Sequence, residues 1–270
     1  MPSAPTRSDP SERRPRAALV MLAAGEGRRT GHHTNKVLLP LAGRRVFTWS
    51  IRWARLLPEV CRTILVIREQ DRDLVMRTLD REVGPPDVEV IVGGTSRHGS
   101  EWEALKVLAP AIEAGEVDVV VVHDAARPLA SSQMFADVID TAARLGCAIP
   151  ANDQGQLASL DGGDPPPDRV VAVQTPQAFT ARPLLAAYRR AAEDGFIGTD
   201  TASCIERYTE EPVHCVEGDA GNIKITFPDD LFLAERLLAK ARWDLSGGRE
   251  KDARHGRLHV PGLSRAGGDS

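Results

Sequence analysis

Between residues 17 and 151 the chain alternates short, nearly unbroken apolar runs with longer stretches whose apolar residues recur at helical spacing. The runs ALVML, TILVI, VEVIV, DVVVVHD and CAIPA are rich in β-branched residues, which predicts strands covered on both faces. The stretches RVFTWSIRWARLL, SEWEALKVLAPAIEAG and SQMFADVIDTAARLG between them predict helices. Strand alternating with helix predicts an α/β fold, doubly wound around a mostly parallel, Rossmann-like sheet. Ligands of such sheets lie beyond the carboxyl ends of the strands. The unusual residues fall there: AAGEGRR follows the first strand, GGTSRHGS the third and HDAARP the fourth.

Three segments break the rhythm. Residues 152–169, NDQGQLASLDGGDPPPDR, carry three consecutive prolines and several glycines, which predicts a short protruding arm outside the sheet. Residues 1–16 and 246–270 are rich in Pro, Ser, Gly and Arg and lack apolar periodicity, so both read as disordered tails flanking a single domain over 17–245. The arginines of the first tail, Arg7, Arg13, Arg14 and Arg16, read as solvated.

Composition narrows the class. A hydrophobic content of 42% and a charged content of 27% are ordinary for a globular protein. A net charge of −4 and an aromatic content of 4% argue against nucleic acid as partner. No apolar run approaches the roughly 20 residues needed to span a bilayer, and no apolar stretch of a secretory signal follows the basic N-terminal residues. The expected compartment is the cytoplasm, with no membrane partner. Cys61, Cys147, Cys204 and Cys215 are scattered, without the spacing of a zinc site or a disulfide framework.

The stretch LAAGEGRRTGHHTNK, residues 22–36, holds three glycines, two arginines and a lysine just past the first strand. Gly25 and Gly27 allow backbone N–H groups to approach an anion closely. A P-loop fails, because the lysine comes too late. The dinucleotide fingerprint fails at its third glycine, where Thr30 stands, and no acidic residue closes the second strand, which disfavours a nicotinamide oxidoreductase. What remains is a loop bearing its own cations, Arg28, Arg29 and Lys36, able to neutralise a triphosphate and the charge developing at an attacked phosphorus. A solvated basic loop is the competing reading; the glycines and the position after strand one favour the cradle. Read singly, other residues also keep bland alternatives. His123 reads as a packed strand-end residue and Asp200 as a helix N-cap. Lys224, between Ile223 and Ile225, reads as the outward face of an edge strand. Asp124 could cap a helix, and Arg127 could simply pair with it.

Taken in order, LAAGEGRRTG…NK, HDAARP, QTPQAF, GTDTAS and GNIKIT.PDDL resemble the 2-C-methyl-D-erythritol 4-phosphate cytidylyltransferase family, with its relatives acting on other polyol phosphates. The resemblance covers about residues 17–243. It implies transfer of CMP from CTP to a polyol phosphate, with release of pyrophosphate. Arg29, Lys36 and Lys224 would act on the phosphates, Lys36 and Lys224 on the α-phosphate. Ala23, Ala24, Gly25 and Gly27 would line the nucleotide, while Gly94, Thr95, Arg97 and Ser100 would select the base. Asp124 and Arg127 would bind the acceptor hydroxyls, with Asp124 near a Mg²⁺ ion that bridges the phosphates. The arm would reach into the partner subunit of a homodimer, with Gln154 and Arg169 at the acceptor's phosphate.

The arm departs from the family's pattern. Where the family carries Pro-Val-x-Asp-Thr and then a lysine, this chain reads Pro150-Ala151-Asn152-Asp153-Gln154-Gly155-Gln156. A hydroxyl donor and a cation are lost. Methylerythritol phosphate is the expected acceptor; another polyol phosphate or a phosphonate is the alternative. A non-catalytic nucleotide-binding relic is disfavoured, since it would have no reason to keep both lysines.

Overall fold

The structure, a computed structural model, describes residues 13–25, 35–84, 88–153 and 170–247, with side chains as far as residue 240. Its strands are β1 (Ala17–Leu22), β2 (Pro40–Leu41), β3 (Arg44–Arg45), β4 (Val60–Ile67), β5 (Val88–Val92), β6 (Val119–Asp124), β7 (Cys147–Asp153), β8 (Val171–Val173), β9 (Gln177–Thr180) and β10 (Val213–Glu217). Its α-helices are α1 (Val46–Ala54), α2 (Arg72–Glu82), α3 (Arg97–Glu113), α4 (Ser132–Leu145), α5 (Ala181–Asp194), α6 (Thr201–Tyr208) and α7 (Pro228–Gly247). The main sheet runs β10-β7-β9-β6-β1-β4-β5, with β8 paired to β7, and β2 and β3 form a separate hairpin.

All five predicted strands form. β1 pairs parallel with β4 and β6, and β4 with β5. Alternate side chains of β1 enter opposite layers: Ala17, Leu19 and Met21 pack with α1, α2 and α4. Ala18 and Val20 pack with α3, α5 and α6. Burial on both faces is why these runs are continuously apolar. Helix α4 shows the matching logic. Ser131 caps it by accepting from the Met134 N–H at 3.2 Å. Phe135, Val138, Ile139 and Ala142 face the core, and Gly146 ends it at φ 97°.

Two features escape the strand-helix rhythm. β9, only four residues long, inserts antiparallel between β6 and β7. The sheet also continues into the expected arm, since Asn152 and Asp153 belong to β7 and face Ala172 and Val171 of β8. The arm therefore begins later than its composition predicts; residues 154–169 lie outside the described residues. At the other end, Arg13 and Arg16, assigned above to the first tail, reach Asp118 at 3.0 and 3.3 Å.

The chain passes from β1 outward through β4 to β5, then returns across β1 to β6. That reversal is the topological switch point, and the register sets Leu22 beside Asp124. The loops after β1 and β6 thus open onto one crevice.

Helix α1 lacks a side-chain cap of its own at Arg45. Glu82, at the end of α2, supplies one from a distance, accepting from the Arg45 N–H at 2.7 Å and the Thr48 hydroxyl at 3.0 Å. Burial pushes the Glu82 carboxyl up, but the Arg45 N–H, Arg81 and Thr48 outweigh it and hold the pKa below the usual 4.5. A depressed carboxylate stabilises above its unfolded value and loses that contribution as pH falls. Glu82→Gln should therefore cost about 1 kcal/mol near neutral pH. In urea unfolding the gap to wild type should close as pH drops below 4.5; a gap independent of pH would show that the charge is not what caps α1.

Candidate functional site

At the switch point lies a cavity of about 540 Å³. Ala24 and Gly25 of the first loop, Gly94, Thr95, Arg97 and Ser100 of the third, and Asp124, Lys36 and Lys224 line it. These residues come from separate parts of the chain, and each is placed by a nameable contact.

The first loop is tied at both described ends. The Ala23 N–H donates to the Val66 carbonyl at 2.8 Å. On the return, Asn35 is buried and its Nδ2 donates to the Ala23 carbonyl at 2.8 Å and to Asp71 at 3.0 Å. Asp71 is itself gripped by Arg68 through bonds of 2.8 and 3.0 Å. Lys36 follows at once, opening a short 3-10 turn. Sequence reading passed over Asn35, although its place beside the lysine was visible. Gly27, Arg28 and Arg29, like Gln154 and Arg169 of the arm, lie outside the described residues.

The third loop packs against the first without a side chain between them. A Cβ on Gly93 would sit 2.6 Å from Ser100 Oγ and 2.8 Å from Ala24 Cβ, so only glycine fits. Ser96 then caps α3, accepting from the Gly99 N–H at 2.9 Å, and the first turn of the helix presents Arg97 and Ser100 to the cavity.

Asp124 closes β6, 8% exposed. Its Oδ2 accepts from Lys224 Nζ at 2.6 Å and its Oδ1 faces Arg97 Nη1 at 3.3 Å. Burial alone would raise the carboxyl, but the charges of Arg97 and Lys224 outweigh it and hold the pKa at about 2. Arg97 in turn reaches Glu101 through Nε at 2.9 Å. His123 is packed, as its position suggested. Its Nδ1 accepts from the Thr175 hydroxyl at 3.2 Å, its Nε2–H donates to the Arg127 carbonyl at 3.1 Å, and Thr175 Oγ1 accepts the Asp124 N–H at 3.0 Å. Burial pushes its pKa down to about 4, leaving it neutral at ordinary pH and unsuited to act as a base.

Lys224 does not lie on a strand, contrary to what its alternation with Ile223 and Ile225 predicts. Residues 218–227 form an irregular segment, held by side chains instead of a ladder. Arg127 Nη1 donates to the Asn222 carbonyl at 2.6 Å, Asn222 Nδ2 to the Thr175 carbonyl at 2.9 Å, and Gln174 Nε2 to the Asp219 carbonyl at 2.8 Å. The Ile225 N–H donates to the Ala126 carbonyl at 2.8 Å. The HDAARP, QTPQ and GNIKIT motifs are thus one contact set. Arg127 lies behind the cavity wall in this set, and Asp124 pairs with Arg97 and Lys224 instead of with it. Asp200 caps α6, accepting from the Ser203 N–H at 2.9 Å, as its position predicted.

The site therefore sets two lysines and an arginine around a cavity entered by glycine-lined backbone, with one ionised carboxylate between two of the cations. Such an arrangement has the charge and the backbone donors that a polyphosphate requires, with an oxygen ligand beside them. Among the described residues no helix is long and apolar enough to cross a membrane.

Residues 17–240 match the model of the IspD family, 2-C-methyl-D-erythritol 4-phosphate cytidylyltransferase. The chain is 35% identical over 225 residues to a 2-C-methyl-D-erythritol 4-phosphate cytidylyltransferase of Bacillus velezensis, covering 82% of this chain and 94% of that protein. It is 36% identical to one of Symbiobacterium thermophilum, covering 82% and 92%. Among solved structures, a 4-diphosphocytidyl-2C-methyl-D-erythritol synthase of Anaerococcus prevotii superposes with a TM-score of 0.71 at 28% identity, covering 83% of this chain and 96% of that one. A 2-C-methyl-D-erythritol 4-phosphate cytidylyltransferase of Thermus thermophilus superposes at 0.63 and 28% identity, covering 83% and 99%.

Asn35 gives the first test of how the site is held. Asn35→Ala leaves the buried Ala23 carbonyl without its donor and should cost about 2 kcal/mol in urea unfolding. Asn35→Asp should cost more, because it sets a second carboxylate where an amide now lies 3.0 Å from Asp71. An Asp variant as stable as the Ala variant would show that Asp71 is not the partner that matters.

Proposed function

The chain belongs to the 2-C-methyl-D-erythritol 4-phosphate cytidylyltransferase family, and from that premise we propose that it transfers CMP from CTP to 2-C-methyl-D-erythritol 4-phosphate, an isoprenoid-precursor step of the cytoplasm. The observation that carries the reading is the line Arg97–Asp124–Lys224 facing Ala24, Gly25 and Lys36 across one cavity.

In the reaction an oxygen of the acceptor phosphate attacks the α-phosphorus of CTP. The bond from that phosphorus to the bridging oxygen breaks, and pyrophosphate leaves. The chain's own work is placement and charge. Backbone N–H groups of the first loop cradle the phosphates, joined by Gly27 and Arg29. Lys36 and Lys224 converge on the α-phosphate, where negative charge grows as the new bond forms. Gly94, Thr95, Arg97 and Ser100 take the base. Asp124 takes the acceptor hydroxyls, and Arg127 serves that end by fixing the Asn222 carbonyl and with it the Lys224 segment.

A divalent ion fits this donor set. Asp124 is an ionised oxygen ligand at the cavity wall, and Mg²⁺ is commonly held by one or two carboxylates together with substrate phosphates. No group of three or more acidic, histidine or cysteine side chains exists among the described residues to hold a metal without the nucleotide. Asp124 would be this chain's ligand to such an ion, which would supply charge neutralisation to the phosphates of CTP.

The arm is proposed to join a homodimer. β7 and β8 launch it as an antiparallel pair, and Val171 and Val173 at its base are 38% and 44% exposed. Gln154 and Arg169 would then meet the acceptor's phosphate in the partner's site.

Pyrophosphate release from the purified chain with Mg²⁺, CTP and 2-C-methyl-D-erythritol 4-phosphate tests the reading, with ATP, GTP and UTP as controls. CTP-selective release is the expected result. Lys36→Ala and Lys224→Ala should each lower turnover by a factor on the order of 10²–10³, with little change in melting temperature for Lys36→Ala and a lower one for Lys224→Ala, which takes a partner from the buried Asp124. A thermal shift with CTP but no release would move the acceptor to another polyol phosphate or a phosphonate. Full turnover in Lys36→Ala would remove that lysine from the mechanism.

A further inference from the structure

Glu101 is an acid in a place where packing alone would favour a hydrocarbon. It lies on α3 one turn after Arg97 and is 1% exposed. Tyr188, which reaches it from α5, belongs with Ala104, Leu105, Leu184 and Cys204 to one apolar cluster. Burying a carboxylate there is costly unless its oxygens are fully engaged. They are. Oε1 accepts from Arg97 Nε at 2.9 Å and from the Thr201 hydroxyl at 2.9 Å, and Oε2 accepts from the Tyr188 hydroxyl. Three helices, α3, α5 and α6, thus converge on one carboxylate.

The partners are themselves fixed. The Tyr188 ring stacks on His98 with centroids 4.6 Å apart and planes 12° off parallel, and is itself fully buried. Thr201 stands in the first turn of α6, directly behind the Asp200 cap. On the cavity side, Arg97 Nη1 faces Asp124 at 3.3 Å. The guanidinium is therefore tied along its Nε edge to Glu101 and at Nη1 to Asp124. Its remaining nitrogen, Nη2, is buried with no hydrogen-bond partner. A guanidinium tied at two points cannot turn, so the part of it that lines the cavity keeps one position.

We propose that Glu101 is a positioning residue for nucleotide choice: anchored by Tyr188 and Thr201, it fixes Arg97 in the wall of the cavity so that the side chain discriminates cytosine from other bases. The inference rests on the cytidylyltransferase reading above. Its chemistry is general. A donor held in one direction favours a ring with acceptors at O2 and N3, as in cytosine, over uracil, whose N3 carries a hydrogen; a donor free to swing does not. Without the charge at position 101, the tie along the Nε edge weakens, Asp124 is the only anion left facing Arg97 in this line, and the side chain gains freedom about that contact.

Glu101→Gln tests this, since the amide keeps the size and most hydrogen bonds while removing the charge. CTP affinity by calorimetry in the presence of Mg²⁺ and steady-state pyrophosphate release are the readouts. The KM and Kd for CTP should rise about tenfold and the preference for CTP over UTP should fall, while kcat at saturating CTP stays within about threefold of wild type. In an Arg97→Gln background the same substitution should add nothing further to the CTP Kd, the mark of two residues acting through one another. Tyr188→Phe, which removes one bond to the carboxylate, should move the CTP Kd the same way by a smaller factor, and supports the inference if Glu101→Gln fails to fold. Wild-type CTP affinity and selectivity in folded Glu101→Gln, or a loss that simply adds to that of Arg97→Gln, would overturn it. Wild-type protein that neither binds CTP nor releases pyrophosphate overturns the functional reading and the inference with it.

Discussion

The Asp124 carboxylate, nearly sealed from solvent at the end of β6, is the constraint from which the site follows. A lone buried carboxylate would take up a proton. This one stays ionised because Arg97 and Lys224 hold its two oxygens. Each of those cations must then be brought to a fixed place by parts of the chain about thirty and one hundred residues away. Ser96 and the start of α3 bring Arg97, and the Thr175–Asn222–Arg127 contacts bring Lys224. The carboxylate thus links the two loops that flank the cavity to the strand at its floor.

Charge alternates along this line: Glu101, Arg97, Asp124, Lys224. Each interior member faces an opposite charge on two sides, and the only half-exposed end is Lys224. Burial works against the ionised form of each of the three buried members. For Asp124 and Arg97 the facing charges win; for Glu101 burial wins and its carboxyl is pushed up. Breaking such a line at one member leaves a neighbour with an uncompensated charge, so its residues are expected to couple strongly. The exposed end is where a phosphate can join without any member being stripped of its partners.

Much of this was legible in the sequence, and what was not had identifiable causes. The five central strands declared themselves because both faces are buried. β9 did not, because four residues with a leading glutamine carry too little pattern, and its antiparallel insertion comes from the Thr180 N–H meeting the Gly146 carbonyl at 2.8 Å, a long-range contact. The cavity's cations were recognisable by type and by their loops. Local alternation taken alone misplaces Lys224 on an edge strand: Ile225 is buried in a small cluster with Leu41, Trp49 and Ala234, which imitates the inward face of a strand where no ladder exists. Asn35 and Glu101 carry little local signal: the four-residue spacing of Arg97 and Glu101 reads as an ordinary helix ion pair, while Asp71, which holds Asn35, and Tyr188 and Thr201, which bury Glu101, lie 36, 87 and 100 residues away.

The glycines complete the coupling between backbone and charge. A Cβ at Gly94 would lie 2.8 Å from the Gly99 carbonyl carbon, and one at Gly93 would strike Ala24 and Ser100. Both contacts join the first turn of α3 to the loop before it. Any side chain there would displace the helix start, and Arg97 is the first residue of that helix. Its pairing with Asp124 spans only 3.3 Å, so a shift of about an ångström would carry the pair beyond hydrogen-bond reach and weaken the charge line. The glycine-rich loops and the buried acids are therefore one device: the first sets where the helix begins, and the second fixes where its leading side chain points.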